Sequence, residues 1–161
     1  MLQKLFKHFL LLSLFSCVLV VTSISAEAAK DPFRVEIIPM EVESGSKGAL
    51  QVIVVVPPKH HLYRDMMSVT VLDGNGLGFE EAQFPDGEFK QDPANPSSLR
   101  ELYKEPVQVR VPFVGSETGE YSPLVEVRYQ GCKETLCYMP AVHQVAAKVN
   151  VVAATSKSES R

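Results

Sequence analysis

The sequence predicts an all-β chain folded as an immunoglobulin-like β-sandwich, and three observations carry that expectation. Apolar residues recur with a period of two along several short stretches, while no stretch beyond the first 28 residues keeps a helical period. Clusters of Gly, Pro, Asn, Asp and Ser punctuate these stretches at intervals of roughly 8–12 residues, the rhythm of a sandwich. The 11 prolines are spread along the chain, and each would interrupt a long helix. A closed barrel is the alternative arrangement of the same strands.

Taken in order, a first strand is expected at 34–38, stopped by Pro39. Ser44-Gly45-Ser46-Lys47-Gly48 is a turn cluster. Residues 49–56 are rich in β-branched side chains and nearly all apolar, which suggests a central strand covered on both faces. Pro57-Pro58 ends it, His60-His61-Leu62-Tyr63-Arg64 follows, and a short strand is expected at 68–72 before the turn Asp73-Gly74-Asn75-Gly76. A further short strand is expected at 80–84. Residues 85–99 contain Asp86-Gly87, Asp92-Pro93 and Asn95-Pro96-Ser97-Ser98 and read as a long irregular loop, usually a functional or mobile feature.

Residues 105–114 alternate cleanly, with Val107, Val109, Val111 and Phe113 inward and Gln108 and Arg110 outward. After a turn at 115–119, Val125, Val127 and Tyr129 share one face and Glu126, Arg128 and Gln130 the other. Gly131 is expected to free the backbone to turn, and Pro140 to bar further sheet pairing. The last strand is expected at 142–152, with Ala147, Val149 and Val151 opposite Lys148 and Asn150. Residues 153–161 are polar with nothing to bury, so the tail is expected to be disordered.

With 161 residues, 45% of them hydrophobic and 22% charged, the chain has the composition of one globular domain. A net charge of −3 provides no basic stripe, which argues against a nucleic-acid partner. Residues 1–28 read as an export signal: Lys4 and Lys7 precede an apolar stretch at 9–21, and Ala26-Glu27-Ala28 offers a small-x-small cleavage site. Two rival fates are lipidation at Cys17 after Leu14-Phe15-Ser16, and retention as an uncleaved anchor. All three place the domain, expected at 29–152, outside the cytoplasm.

Of the 3 cysteines, Cys132 and Cys137 would be the only thiols left after removal of the leader. Three chemistries compete for them. A structural disulfide is common in exported proteins, but a bridge closing so short a loop contributes only about 2 kcal/mol in the chain-entropy model. A redox-active dithiol needs two cysteines that can approach and stay open to an attacking thiolate. No helix is expected here to lower a thiol pKa, so such a pair suits a carrier rather than a strong oxidant. Metal binding would recruit His60, His61 or His143, in a spacing that fits no structural zinc pattern well.

Tyr129-Gln130-Gly131-Cys132 followed by Cys137-Tyr138-Met139-Pro140 resembles the cysteine segment of the amino-terminal periplasmic domain of DsbD, Tyr-Gln-x-Cys and then Cys-Tyr-Pro-Pro. His61-Leu62-Tyr63-Arg64 is similar to that family's Tyr-Leu-Tyr-Arg segment, and Leu102-Tyr103-Lys104-Glu105 matches as well. The resemblance runs from about residue 31 to 152. It implies an immunoglobulin-like domain that takes electrons from a membrane thiol carrier or a thioredoxin-like donor. The recipients would be oxidised periplasmic proteins such as disulfide isomerases and cytochrome c maturation factors, with no cofactor. It also implies that Cys132 and Cys137 are the redox pair, Cys137 attacking first, and that Tyr63, Tyr129 and Tyr138 line the site. The rival from another class is a non-catalytic immunoglobulin-like binding module with a structural bridge.

Three departures accompany the resemblance. The cysteines stand one residue closer than in the family pattern. The family's cap loop, which shields the disulfide with a Phe, corresponds to 91–99, where no Phe occurs and Leu99 or the preceding Phe89 would have to serve. The family's transmembrane segment and thioredoxin-like domain have no counterpart in this sequence, so both functions are expected on separate proteins.

Overall fold

A computed structural model describes residues 30–92 and 95–155. The expected signal at 1–28, with Cys17, lies outside the described residues, as do 156–161 of the expected tail. The chain divides into two compact units, Met1–Lys30 and Asp31–Arg161, and the second carries everything that follows.

Its strands in order are β1 (Arg34–Ile38), β2 (Met40–Glu43), β3 (Lys47–Val55), β4 (His60–Tyr63), β5 (Ser68–Asp73), β6 (Gly78–Phe79), β7 (Glu88–Asp92) and β8 (Asn95–Tyr103). Then come β9 (Val107–Val114), β10 (Gly119–Tyr121), β11 (Leu124–Tyr129), β12 (Gly131–Lys133), β13 (Leu136–Cys137), β14 (Ala141–Ala146) and β15 (Val149–Val152). Among the described residues the one helical element is a single 3-10 turn at Arg64–Met66. The fold is an immunoglobulin-like β-sandwich.

The clean alternation in β9 does what period two demands: Val107, Val109, Val111 and Phe113 are buried while Gln108 and Arg110 are exposed. β9 pairs antiparallel with β3, and β3 with β1, in a sheet ordered β1-β3-β9-β6. A second sheet, β14-β11-β5, contributes Val125, Val127, Tyr129 and Val69 to the same core as Leu50, Val52 and Val54 of β3. Val149 and Val151 of β15 join that core, and β15 sits between β10 and β2. The fourth sheet, β13-β12-β4-β8-β7, holds both cysteines.

Several expectations are corrected. The apolar run of β3 is fully buried on one face only, since Gln51, Ile53 and Val55 on the other are half-buried. Pro39 ends the β1 ladder but not the extended chain, which resumes as β2 and pairs in parallel with β15. The strand expected at 80–84 is reduced to one isolated bridge, Gln83 to Arg110, preceded by the short β6. The irregular loop at 85–99 is largely strand: β7 and β8 pair antiparallel from Glu88 with Leu102 to Asp92 with Asn95. The last strand divides at Ala147-Lys148, where the Ala147 amide donates to Pro123 O and Lys148 O accepts from the Met40 amide. That break hands the chain from one sheet to another.

Gly131 opens β12 rather than a free turn, and its role is close approach. A β-carbon there would stand 2.1 Å from Cε2 and 2.2 Å from Cζ of Phe33, whose ring is buried in the main core. Gly131→Ala should therefore destabilise the domain by about 1–3 kcal/mol through overpacking. In a Phe33→Leu background the added cost should shrink, and urea titrations of the four-protein cycle measure that coupling. Equal costs in both backgrounds would remove the ring contact as the reason for glycine.

Candidate functional site

The cysteines face each other across a tight hairpin. β12 and β13 pair antiparallel with Cys132 opposite Cys137 and Lys133 opposite Leu136, leaving Glu134 and Thr135 as the connection. Glu134 takes φ 54°, a left-handed conformation that costs a non-glycine residue roughly 1–2 kcal/mol. A disulfide joins the pair, with Cα atoms 3.9 Å apart and a sequence separation of 5. The exit is fixed by the Tyr138 amide donating to Gly131 O at 2.9 Å and by Gln130 Nε2 donating to Tyr138 O at 3.0 Å. Pro140 then separates β13 from β14.

β12 also pairs with β4, which sets Cys132 opposite His61 and Gly131 opposite Leu62. β4 in turn pairs with β8 through Tyr63 and Leu102. Directly opposed residues share a face of a sheet, so His61, Tyr63, Leu102, Cys132 and Cys137 all lie on one face, and Leu62 and Tyr103 lie on the other with the main core. Tyr63, Leu102 and Cys132 form a small separate buried cluster against which Cys137 packs. Cys132 is 0% exposed, whereas Cys137 is half-buried and its neighbours Leu136 and Met139 are exposed.

Polar groups of β7 and β8 complete this face. The Tyr63 hydroxyl donates to Asp92 Oδ1 at 2.5 Å, and the Arg100 guanidinium lies 3.5 Å above the centre of the Tyr63 ring. Arg100 also meets Asp92 at 3.5 Å and Asp65 at 2.5 Å. Burial, reinforced by the hydrogen bond to Asp92, pushes the Tyr63 phenol up to about 12, so it stays a proton donor. His61 is buried at 3% exposure, edge-on to the Tyr63 ring, and its Nε2 has no hydrogen-bond partner. Burial first, and the charge of Lys104 second, lower its pKa below the ordinary 6.5.

Of the tyrosines expected around the pair, only Tyr63 shares its buried cluster. Tyr129 belongs to the main core, donates to Asp31 Oδ2 at 2.7 Å and stacks on His143, whose Nε2 is 2.9 Å from its hydroxyl. Burial and that acidic neighbour raise its pKa. Tyr138 stacks on His60 and meets Phe33 edge-on. The three histidines of the metal reading do not converge: His60 and His61 alternate on β4 and face opposite ways, and His143 sits beside Tyr129 and Asp31. Among the described residues no cluster of three His, Cys, Asp or Glu side chains could hold a metal ion.

Neither Phe89 nor Leu99 shields the disulfide. They are 73% and 70% exposed, and the β7–β8 register places both on the sheet face opposite Cys132. Reading the sequence for types of residue misses Leu102, which joins the cysteine cluster, and Asp92 and Arg100, which hold Tyr63; all three are brought there through strand register.

The fold and site together define an all-β sandwich that carries a cross-strand disulfide at the edge of one sheet, with one cysteine enclosed and the other half-buried. Residues 30–148 match the family model of the thiol:disulfide interchange protein DsbD, N-terminal, and the chain belongs to that family. The reduced DsbD N-terminal domain of Neisseria meningitidis is similar at 21% identity and a TM-score of 0.53, over 73% of this chain and 86% of that one. The complex between the DsbD and PilB N-terminal domains of the same organism matches at 19% identity and a TM-score of 0.53, over the same shares. Curated protein sequences give no match.

A pH-dependence follows from His61. Its folded pKa is depressed, so the unfolded chain binds a proton there that the folded chain refuses. Stability from this group is complete above the unfolded value of about 6.5 and falls as the pH drops below it. Urea midpoints measured at about pH 7.5, 6.5 and 5.5, at and one unit either side of that value, should decline toward acid. The decline should be smaller in His61→Gln.

Proposed function

We propose that this chain is a thiol:disulfide interchange carrier whose exchanging groups are Cys132 and Cys137. One observation supports the reading above the others: the edge disulfide offers partners a half-buried Cys137 beside exposed Leu136 and Met139, while Cys132 is enclosed. In the reducing half-cycle a donor thiolate attacks Cys137 Sγ, the intramolecular S–S bond breaks, and Cys132 leaves as thiolate. The donor's second thiol then resolves the mixed disulfide and releases Cys137. In the delivering half-cycle the Cys137 thiolate attacks a client disulfide, and Cys132 attacks Cys137 Sγ to expel the client as a dithiol. Two electrons enter and two leave, without a cofactor.

The donor is a membrane thiol carrier or a thioredoxin-like protein, and the client an oxidised periplasmic disulfide isomerase or cytochrome c maturation factor. The family and the existence of a DsbD–PilB N-terminal domain complex in a relative support a protein partner at this edge. The periplasm is the proposed compartment, reached through a signal at 1–28, with residues 29–152 as the working domain. Among the described residues no helix is long and apolar enough to cross a membrane.

The test is a reduction potential paired with trapping. A carrier should equilibrate above about −300 mV, whereas structural bridges typically lie below that value. Cys132→Ser, which keeps the accessible sulfur and loses the resolving one, should accumulate a covalent adduct with a thioredoxin-like partner, and Cys137→Ser should form little. Both should stay folded, since the bridge contributes only about 2 kcal/mol in the entropy model. A potential below that limit with no adduct from either variant would leave a binding module with a structural bridge.

A further inference from the structure

A second group on the cysteine face is chemically equipped and otherwise unused. His61 lies directly across the ladder from Cys132, in a register that brings opposed β-carbons to roughly 4.5–5.5 Å. It is 3% exposed, and its Nε2 is the one buried side-chain nitrogen or oxygen among the described residues left without a hydrogen-bond partner. An orphaned buried nitrogen of this kind costs roughly 1–3 kcal/mol. Nothing in the disulfide form satisfies it, because a bonded sulfur carries no proton. Reduction changes that: a Cys132 thiol supplies a donor on the same sheet face.

Resting on the carrier reading, we propose that His61 is the proton acceptor for Cys132 in the step that resolves the mixed disulfide. His61 Nε2 takes the Cys132 S–H proton. The resulting thiolate attacks Cys137 Sγ, the Cys137–client bond breaks, and its electron pair leaves on the client sulfur. The imidazolium then returns its proton to that thiolate or to water. In the reverse direction Cys132 leaves as thiolate when a donor attacks Cys137, takes up a proton from solvent, and the S–H so formed donates to His61 Nε2. An enclosed thiol without such an acceptor would ionise poorly, because burial in apolar surroundings raises a thiol pKa.

The neighbourhood fits this role. The charged or titratable groups acting on the ring are Lys104 and Arg100 from the β8 side, Asp92 from β7 and His60 from β4 itself, and burial is the largest influence. With the disulfide closed, burial and the charges of Lys104 and Arg100 outweigh the opposing carboxylate of Asp92 and lower the His61 pKa, which leaves the ring neutral and able to accept a proton. Lys133 and Leu136, the other residues of the hairpin, face away by register.

The experiment uses the reduced protein and 5,5′-dithiobis(2-nitrobenzoate) in stopped flow. Attack by Cys137 releases a first thionitrobenzoate at a rate proportional to reagent. Resolution by Cys132 releases a second at a rate independent of it. In His61→Phe, which keeps a ring against Tyr63, and in His61→Gln, which keeps a hydrogen-bonding group, the second phase at neutral pH should slow roughly tenfold to a hundredfold. Its pH inflection should move up toward or beyond the free-thiol value of about 8.5, with the first phase unchanged. An unchanged second phase in both variants overturns the proposal, and so does equal slowing of both phases, which marks a disturbed fold. A parallel arm with oxidised wild type separates the two readings: a disulfide that reduced thioredoxin leaves intact removes the carrier itself, whereas normal reduction with an unshifted second phase removes only the role of His61.

Discussion

The domain depends on one short strand being buried on both faces. β4 has four residues, yet Leu62 enters the main core while His61 and Tyr63 enclose the disulfide on the opposite side. A strand at a sheet surface ordinarily shows water one of its faces. Here the pairing of β4 with both β12 and β8 fixes the second face as firmly as the first, because a slip of one residue would exchange the contents of the two. Together with the contact of Gly131 against Phe33, the pairing with β4 couples the position of the cysteine hairpin to the core.

The surroundings of the pair divide cleanly in polarity. Toward β8 and β7 the wall is charged and hydrogen-bonded, with Asp92 tied to Tyr63 and Arg100 lying across the same ring. At the open edge the hairpin exposes Met139 just past Cys137 and, on its opposite face, Leu136. The first wall holds Tyr63 in place by a charge-assisted bond and a cation–π contact, both stronger where solvent is excluded. The open edge offers a partner surface that gains by being covered. Enclosure of Cys132 and access to Cys137 follow from this asymmetry.

Much of this was legible from the sequence, and the failures have physical causes. β9 was readable because one face is buried and the other largely wet, and β11 because apolar and polar residues alternate along it, although Glu126 on its polar face is itself buried. β7 and most of β8 are exposed on both faces, and without contrast between faces a strand of Glu, Lys, Gln and Ser reads as loop. The division between β14 and β15 leaves no mark because Val145, Ala147, Val149 and Val151 keep one phase across it. At the site, the cysteines stand out by type and Tyr63 by resemblance. Tyr138, expected at the site by resemblance, packs against His60 and Phe33 just past the end of β13. Leu102 reaches the cysteine cluster, and Asp92 and Arg100 reach Tyr63, through strand register between distant segments, which local pattern does not encode. His61 was visible as a histidine, but its isolation from any partner was not.

The hairpin register carries one more consequence. Besides the disulfide, the backbone pairing of β12 with β13 opposes Cys132 and Cys137, and the bonds around Gly131, Gln130 and Tyr138 hold the exit strand. Two thiols so fixed meet as neighbours within one molecule rather than by diffusion. Well-oriented intramolecular reactions of this kind reach effective molarities of about 10⁵ M and above. For a protein that exchanges disulfides, such preorganisation shortens the life of every mixed disulfide it forms. In the carrier proposed above, a client would be let go almost as soon as it is engaged, with no rebuilding of the scaffold between one electron pair and the next.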